Sequence, residues 1–252
     1  MSVSFDLTGR TALVTGANTG LGQAIAVGLA RAGADIVAVG RSTPTETAAL
    51  VAATGRVLHA IPADLSTIAP LADVVARAVA AVGAIDILVN NAGIIRRADS
   101  LDFTEEDWDA VIDTNLKTAF FLSQAVARTW ASAGRGGKII NICSMLSFQG
   151  GIRVPSYTAS KSGLAGLTRL LACEWAGKGI NVNAIAPGYF STNNTEALRA
   201  DETRNRDILA RIPAGRWGDP SDISGAAVFL ASDAAAYVHG TVLAVDGGWL
   251  AR

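Results

Sequence analysis

The sequence predicts one α/β domain, a doubly wound parallel sheet of about seven strands with helices on both faces. Three observations carry this. Short apolar runs alternate with longer helical runs along all 252 residues, as strands joined by crossover helices require. The apolar runs end in glycine, asparagine, proline or polar pairs, the residues expected where parallel strands stop at one edge. Half of the residues are hydrophobic, chiefly Ala, Val, Ile and Leu, with 26 glycines and few aromatics. That mixture suits strands buried on both faces under closely packed helices.

The first unit opens the sheet. Arg10-Thr-Ala-Leu-Val-Thr15 reads as a buried strand, and the turn after it carries Gly16, Asn18, Thr19, Gly20, Leu21 and Gly22. Glycine lets the backbone turn sharply and lets a pyrophosphate approach bare N–H groups at a helix N-terminus. The helical run follows from Ala24 to Ala32. A tight turn with no ligand uses the same residue, but the place in a first strand–helix–strand unit favours a nucleotide.

Asp35 to Gly40 is the second strand and ends in Arg41-Ser42. A dinucleotide fold reads the adenosine ribose here, and an acid would bond both ribose hydroxyls of NAD. Arg41 is either a solvated loop cation or, with Ser42, a receiver for the 2′-phosphate of NADP. The lean is to NADP(H). A polar helix leads to a third strand, Val57 to Ile61, with His59 structural, and then to Asp64-Leu65. Asp64 either meets adenine or caps a helix beginning near Ser66. An Ala- and Val-rich helix (Leu71 to Val82) precedes the fourth strand, Ile85 to Val89, which ends in Asn90-Asn91-Ala92-Gly93. Small residues at that strand end admit a cofactor, and an asparagine braces the sheet.

Thr104-Glu-Glu-Asp-Trp108 starts a helix, with acids in its first turn. Asn115 lies inside it, either a satisfied buried amide or the holder of a water that relays protons to Lys161. Lys138 to Cys143 reads as the next buried strand. Ser144 then stands at its carboxyl end, where open α/β sheets place ligands. Pro155 opens a helix to about Ala176. Tyr157 and Lys161 are one helical turn apart, so they share a face. A phenol titrates near pH 10, and a neighbouring ammonium favours its anion by about 1.4 kcal/mol for each tenfold change in acidity. Ser144 then holds a substrate oxygen while Tyr157 exchanges its proton. A sixth strand, Ile180 to Ile185, ends in Pro187-Gly188. The polar segment 189–212 is placed as a lid over the site. Pro220 starts the last helix, and Thr241 to Val245 is the last strand.

Composition excludes several classes. A net charge of −1 gives no reason to expect nucleic acid or a membrane surface as partner. No apolar run is long enough to span a bilayer, and the N-terminus lacks a signal-peptide plan. Cys143 and Cys173 form no metal-ligand spacing, and both are read as core residues; no metal site is expected. The expected compartment is the cytoplasm.

Taken together, Thr15-Gly-Ala-Asn-Thr-Gly-Leu-Gly22, Asp64, Asn90-Asn-Ala-Gly93, Asn115, Ser144, Tyr157-x-x-x-Lys161 and Pro187-Gly188 resemble the motifs of the short-chain dehydrogenase/reductase family, in the same order along the chain. The resemblance implies a Rossmann-like domain binding NAD(P), with Tyr157 as general acid/base and Ser144 orienting the substrate carbonyl. Lys161 would bind the nicotinamide ribose and lower the Tyr157 pKa, Asn115 would complete a proton relay, and the assembly would be a homotetramer. Asn91 to Gly93, Pro187, Gly188, Phe190 and Thr192 are the further cofactor candidates. Longer stretches, Asn141 to Tyr157, Arg211-Ile-Pro-Ala-Gly-Arg-Trp-Gly218 and Val245 to Arg252, resemble the 2-dehydro-3-deoxy-D-gluconate 5-dehydrogenases, also described as 2-deoxy-D-gluconate 3-dehydrogenases. Members of that group are usually linked to NAD, which sets Arg41 apart; the related gluconate 5-dehydrogenases often use NADP.

A sugar acid implies a carboxylate, which the planar fork of arginine suits. Arg153 and Arg97 are the leading candidates, with Arg96 nearby, and each is alternatively a surface ion-pair partner. Gln149 and Asn194 are placed at substrate hydroxyls. Two other readings stay open: a 3-oxoacyl-thioester reductase with the same catalytic residues, and a non-catalytic nucleotide sensor on the same fold.

Overall fold

The computed structural model describes residues 4–252; the expectation about the N-terminus extends to residues 1–3, which lie outside them. The chain begins with β1 (Thr11–Thr15), α1 (Gly20–Arg31) and β2 (Asp35–Gly40), followed by α2 (Thr45–Ala52), β3 (Leu58–Pro62), α3 (Leu71–Val82) and β4 (Ile87–Asn90). Next come α4 (Glu105–Ile112), a π-helical turn (Asp113–Lys117), α5 (Thr118–Ser132), β5 (Gly137–Ile142), α6 (Pro155–Trp175) and β6 (Ile180–Pro187). Two short helices, α7 (Glu196–Ala200) and α8 (Glu202–Arg211), precede α9 (Ser224–Ala231) and β7 (Val242–Val245). The strands form one sheet in the order β3-β2-β1-β4-β5-β6-β7, and every neighbouring pair is parallel.

Successive side chains of a strand point to opposite faces, and the two cores divide accordingly. Ala12 and Val14 of β1 pack with Ile25 and Leu29 of α1 and with Ala227 and Leu230 of α9. Leu13, between them, turns to Val74 of α3, Leu122 and Trp130 of α5 and Leu171 of α6. Burying a Leu, Ile or Val side chain is worth about 1.5–3 kcal/mol, so both faces of β1 hold the sheet against a helical layer. The chain order reverses direction between β1 and β4, which pair as Ala12 with Ile87 and Val14 with Val89. A crevice opens at their carboxyl ends.

Several boundaries depart from the sequence reading. The first helix starts at Gly20, inside the glycine turn. β4 runs from Ile87, two residues late, although the Asp86 N–H donates to the Thr11 carbonyl at 2.9 Å and its carbonyl accepts the Lys138 N–H at 3.0 Å. Its carboxylate also accepts the Thr11 N–H at 2.8 Å and pairs with Arg135 at 2.7 Å. β6 continues through Pro187. No helix begins at Ser66; the segment turns until Leu71. Cys143 is buried, but Cys173 is exposed on the outer face of α6 beside Glu174. The core assignment of Cys173 is therefore corrected: residues on that stripe of the helix face away from the sheet. Among the described residues, no helix is long and apolar enough to cross a membrane.

Candidate active site

The carboxyl ends of the strands open into a cleft of about 1100 Å³. One wall is the glycine turn. Gly16 and Gly20 have φ of 66° and 58°, a left-handed conformation that favours glycine. A Cβ on Gly22 would collide with the Gly16 carbonyl and the Asn91 side chain. Asn91 closes the back of this turn: its Nδ2 donates to the carbonyls of Thr15 (2.9 Å) and Gly16 (3.2 Å). The Thr15 hydroxyl in turn accepts the N–H groups of Asn91 and Ala92, both at 2.9 Å. The start of α1 is thus fixed to the end of β4, and Gly20 to Gly22 line the cleft. A pyrophosphate fits such a wall.

Asn18, Thr19, Leu21, Arg41, Ser42, Asp64, Leu65, Asn91 to Gly93, Pro187, Gly188, Phe190 and Thr192 line the same cleft. Asp64 accepts the Ser66 N–H at 3.0 Å, and that bond, with the Ser66 hydroxyl and the charge of Arg41, holds its carboxyl below the usual range. Asp64 therefore shapes its own turn and caps no helix. Arg41 is exposed, so its guanidinium remains open to an anion.

Deeper in the cleft stand Ser144, Tyr157 and Lys161. The loop after β5 and the start of α6 are tied together around them. Ser147 donates to the Lys161 carbonyl at 2.7 Å, and Ser162 donates to the Leu146 carbonyl at 3.1 Å. Ser144 caps the short helical turn Met145–Ser147 by accepting the Leu146 N–H at 3.2 Å. Lys161 is 4% exposed, its Nζ donates to the Ile142 carbonyl at 2.6 Å, and it lies 5.6 Å from the centre of the Tyr157 ring.

Burial acts on both members of this pair. It pushes the Tyr157 phenol up; the Ser144 hydroxyl and Arg97 pull it back, while Cys143 adds to the rise. Burial also lowers Lys161 to about 8, with Cys143 opposing. The sequence reading expects a phenol acidified by Lys161, whereas in this structure desolvation outweighs the charges around the phenol. The reason is common to both groups: each loses water in the same enclosed corner.

Asn115 sits at the π-helical turn, not inside one continuous helix. Its Oδ1 accepts the Ile94 N–H at 2.8 Å, and its Nδ2 donates to the Ile94 carbonyl at 2.9 Å and to Ser160 at 3.4 Å. Single extra-residue turns of this kind often mark functional positions. Below it, Asn90 donates to Ser123 (2.9 Å) and to Asn141 (2.8 Å), and Asn141 donates to Thr168 (2.9 Å). This buried polar chain locks β4 and β5 to α5 and α6.

Of the substrate candidates, Arg97, Gln149 and Asn194 line the cleft and Arg153 does not. Arg153 holds a left-handed backbone (φ 64°), and its carbonyl accepts the Ala98 N–H at 3.2 Å. Its part is to shape the loop. Arg96 lines the cleft but pairs with Asp107 at 3.0 Å.

The family model described as enoyl-(acyl carrier protein) reductase matches residues 16–250. A 2-dehydro-3-deoxy-D-gluconate 5-dehydrogenase of Dickeya dadantii is 62% identical over 249 residues, 99% of this chain and 98% of its own. The chain belongs to the short-chain dehydrogenase/reductase family. A crystal structure from Agrobacterium tumefaciens, assigned as a 2-deoxy-D-gluconate 3-dehydrogenase with bound NADP, is 62% identical with a TM-score of 0.92. It matches 98% of this chain and 99% of its own. Another, from Beutenbergia cavernae and assigned as an NAD(P)-dependent gluconate 5-dehydrogenase with bound NADP, is 53% identical with a TM-score of 0.94 over 98% and 99% of the two chains.

Within this member of the family, the sequence reading missed one group of cleft residues. Arg211, Trp249 and Met145 line the site. The Arg211 guanidinium lies 4.0 Å from the Trp249 ring centre, and Ile208 and Ile212 of segment 189–212 form a small buried cluster with Met145 and Trp249. The tryptophan near the end of the chain was the available signal, but its partner lies 38 residues earlier.

Proposed function

We propose that this chain is an NADP(H)-dependent oxidoreductase acting on a secondary alcohol or ketone of a sugar acid, of the 2-dehydro-3-deoxy-D-gluconate, 2-deoxy-D-gluconate or gluconate type. The observation that carries the reading is the placing of Ser144, Tyr157 and Lys161 in one cleft with the glycine turn and an open Arg41. The relatives that match nearly the whole chain support the substrate class.

When bound, the nicotinamide supplies or accepts the hydride. Gly16 to Gly22 would hold the pyrophosphate, Arg41 and Ser42 the 2′-phosphate, and Asp64 and Leu65 the adenine side. Asn91 to Gly93, Pro187, Gly188, Phe190 and Thr192 would flank the nicotinamide end. The Ser144 hydroxyl holds the substrate oxygen in line with the Tyr157 phenol, which gives that oxygen a proton in reduction and takes it in oxidation. Lys161 would bind the nicotinamide ribose, with its amine 5.6 Å from the centre of the Tyr157 ring. Asn115 has two of its amide positions committed to Ile94, so its relay role runs through the remaining lone pair of Oδ1. Arg97, Gln149 and Asn194 contact the substrate. Segment 189–212 acts as the lid.

The same reading makes the protein a cytoplasmic homotetramer, supported by Phe121 on α5 and Leu170 on α6, both exposed apolar residues; light scattering tests the assembly. The activity is tested by turnover of hexonates and deoxyhexulosonates with NAD and with NADP, beside an acetoacetyl thioester. Tyr157→Phe is expected to remove nearly all turnover while NADP affinity stays near native. Preference for the thioester would give the acyl reductase instead, and tight NADP binding without oxidoreduction would give the sensor.

A further inference from the structure

The cleft carries more arginines than the proposed chemistry has used, and their partners distinguish them. Arg96 is neutralised by Asp107. Arg41 acts on Asp64, among the candidate nucleotide contacts. Arg97 lines the cleft from the loop after β4, and its charge pulls the Tyr157 phenol down. Arg204 lines the cleft from the first turn of α8, with no side-chain partner among the described residues. Arg211 differs from all four in being seated on a platform. Its contacts are an indole face, 4.0 Å away at Trp249, and the Gln149 amide oxygen at 3.4 Å, and neither carries a charge.

We propose that Arg211, seated on the Trp249 ring, is the receptor for the carboxylate of the sugar acid. The assignment rests on the sugar-acid reading above and names the group that selects an acid over a neutral sugar. A guanidinium stacked on an indole is held in plane by the ring, and its edge keeps N–H donors free for a two-point bond to a carboxylate. The platform is itself fixed. Trp249 is buried, and its Nε1 donates to the same Gln149 oxygen at 3.2 Å. Arg252 donates to the Ala210 carbonyl at 2.8 Å, tying the chain after Trp249 to the last turn of α8. With its oxygen taken by two donors, Gln149 has its amide nitrogen left for a substrate hydroxyl.

Position argues the same way. Arg97 enters the cleft from the loop after β4, whereas Arg211 enters it from the last turn of α8. A hexonate oxidised several carbons from its carboxyl group needs its anion site away from the reacting oxygen. Arg211 meets that need through Gln149, five residues beyond Ser144 in the same loop. It also ends α8, whose Ile208 packs with Met145, the neighbour of Ser144. Binding of the carboxylate therefore bears directly on the helix that covers the site.

The test compares D-gluconate with uncharged D-gluconamide, each with NADP, in wild type, Arg211→Gln, Arg211→Lys, Trp249→Leu and Arg97→Gln. In Arg211→Gln the KM for the acid is expected to rise about 10- to 100-fold, the loss of a hydrogen-bonded charge, with kcat little changed. The preference for acid over amide disappears, and NADP affinity by fluorescence titration stays as in wild type. Arg211→Lys restores part of the preference, and Trp249→Leu weakens it because the guanidinium loses its support. Retention of the wild-type preference in Arg211→Gln overturns the assignment. If wild type prefers the acid and Arg97→Gln alone abolishes that preference, only the Arg211 assignment fails. If wild type turns over no sugar acid in the wider screen, the sugar-acid reading fails and this inference falls with it.

Discussion

Lys161 offers a measurement of what the site costs the fold. Its amine is buried, and its pKa falls from the ordinary 10.5 to about 8. Replacing it by methionine keeps the length and removes the charge. A base whose folded pKa is depressed binds fewer protons in the native state than in the unfolded state between those two values, so wild-type stability rises with pH across that window. The gap from about 8 to 10.5 corresponds to about 3 kcal/mol, at about 1.4 kcal/mol per pH unit. Below pH 8 the full cost of the buried cation is present; above 10.5 it is gone. The Cys143 thiol is raised by burial and pulled down by Lys161. Removing the cation raises it further, which makes the variant lose stability faster with pH and reinforces the same trend. Urea unfolding of wild type and Lys161→Met from pH 7 to pH 10.5 is expected to show wild type gaining about 3 kcal/mol on the variant. Parallel pH profiles would refute a charged lysine held at a cost in the native state.

The remaining predictions concern the cofactor wall. Arg41→Asp is expected to lower kcat/KM with NADP by about 10- to 100-fold and to turn the preference toward NAD, since a charge-assisted contact is exchanged for repulsion; steady-state kinetics with both cofactors decide it, and an unchanged ratio would place Arg41 in solvent. Gly22→Ala forces a Cβ against the Gly16 carbonyl and Asn91, with an expected cost of about 1–3 kcal/mol. Urea midpoints and NADP titration should both deteriorate, and native values for both would mean that the turn relaxes freely.

What was legible in the sequence is what short-range chemistry determines. The runs Thr11 to Thr15, Asp35 to Gly40 and Lys138 to Ile142 are strands because each is an apolar run with a stop beyond it, and the glycine turn follows from its place in the first strand–helix–strand unit. Tyr157 and Lys161 are brought together by one helical turn. The departures arise where distant segments decide. The Asp86 carboxylate ties the start of β4 to Thr11 and Arg135, and Cys173 faces outward because of which stripe of α6 the sheet occupies. The π-helical turn at Asn115 reflects two bonds to Ile94, 21 residues before it. Arg211 and Trp249 meet across a lid and the chain's closing turn, so no local pattern announces them. Arg153, expected in the cleft from its neighbours in sequence, is turned by a backbone conformation that a motif does not reveal.

The site draws its walls from Gly16 at one extreme and Trp249 at the other. During synthesis, then, the cleft is not assembled until residue 249 has cleared the ribosome, and every shorter nascent chain lacks the platform under Arg211. Fragments released early in translation would carry the glycine turn and the catalytic tyrosine yet lack a finished anion pocket.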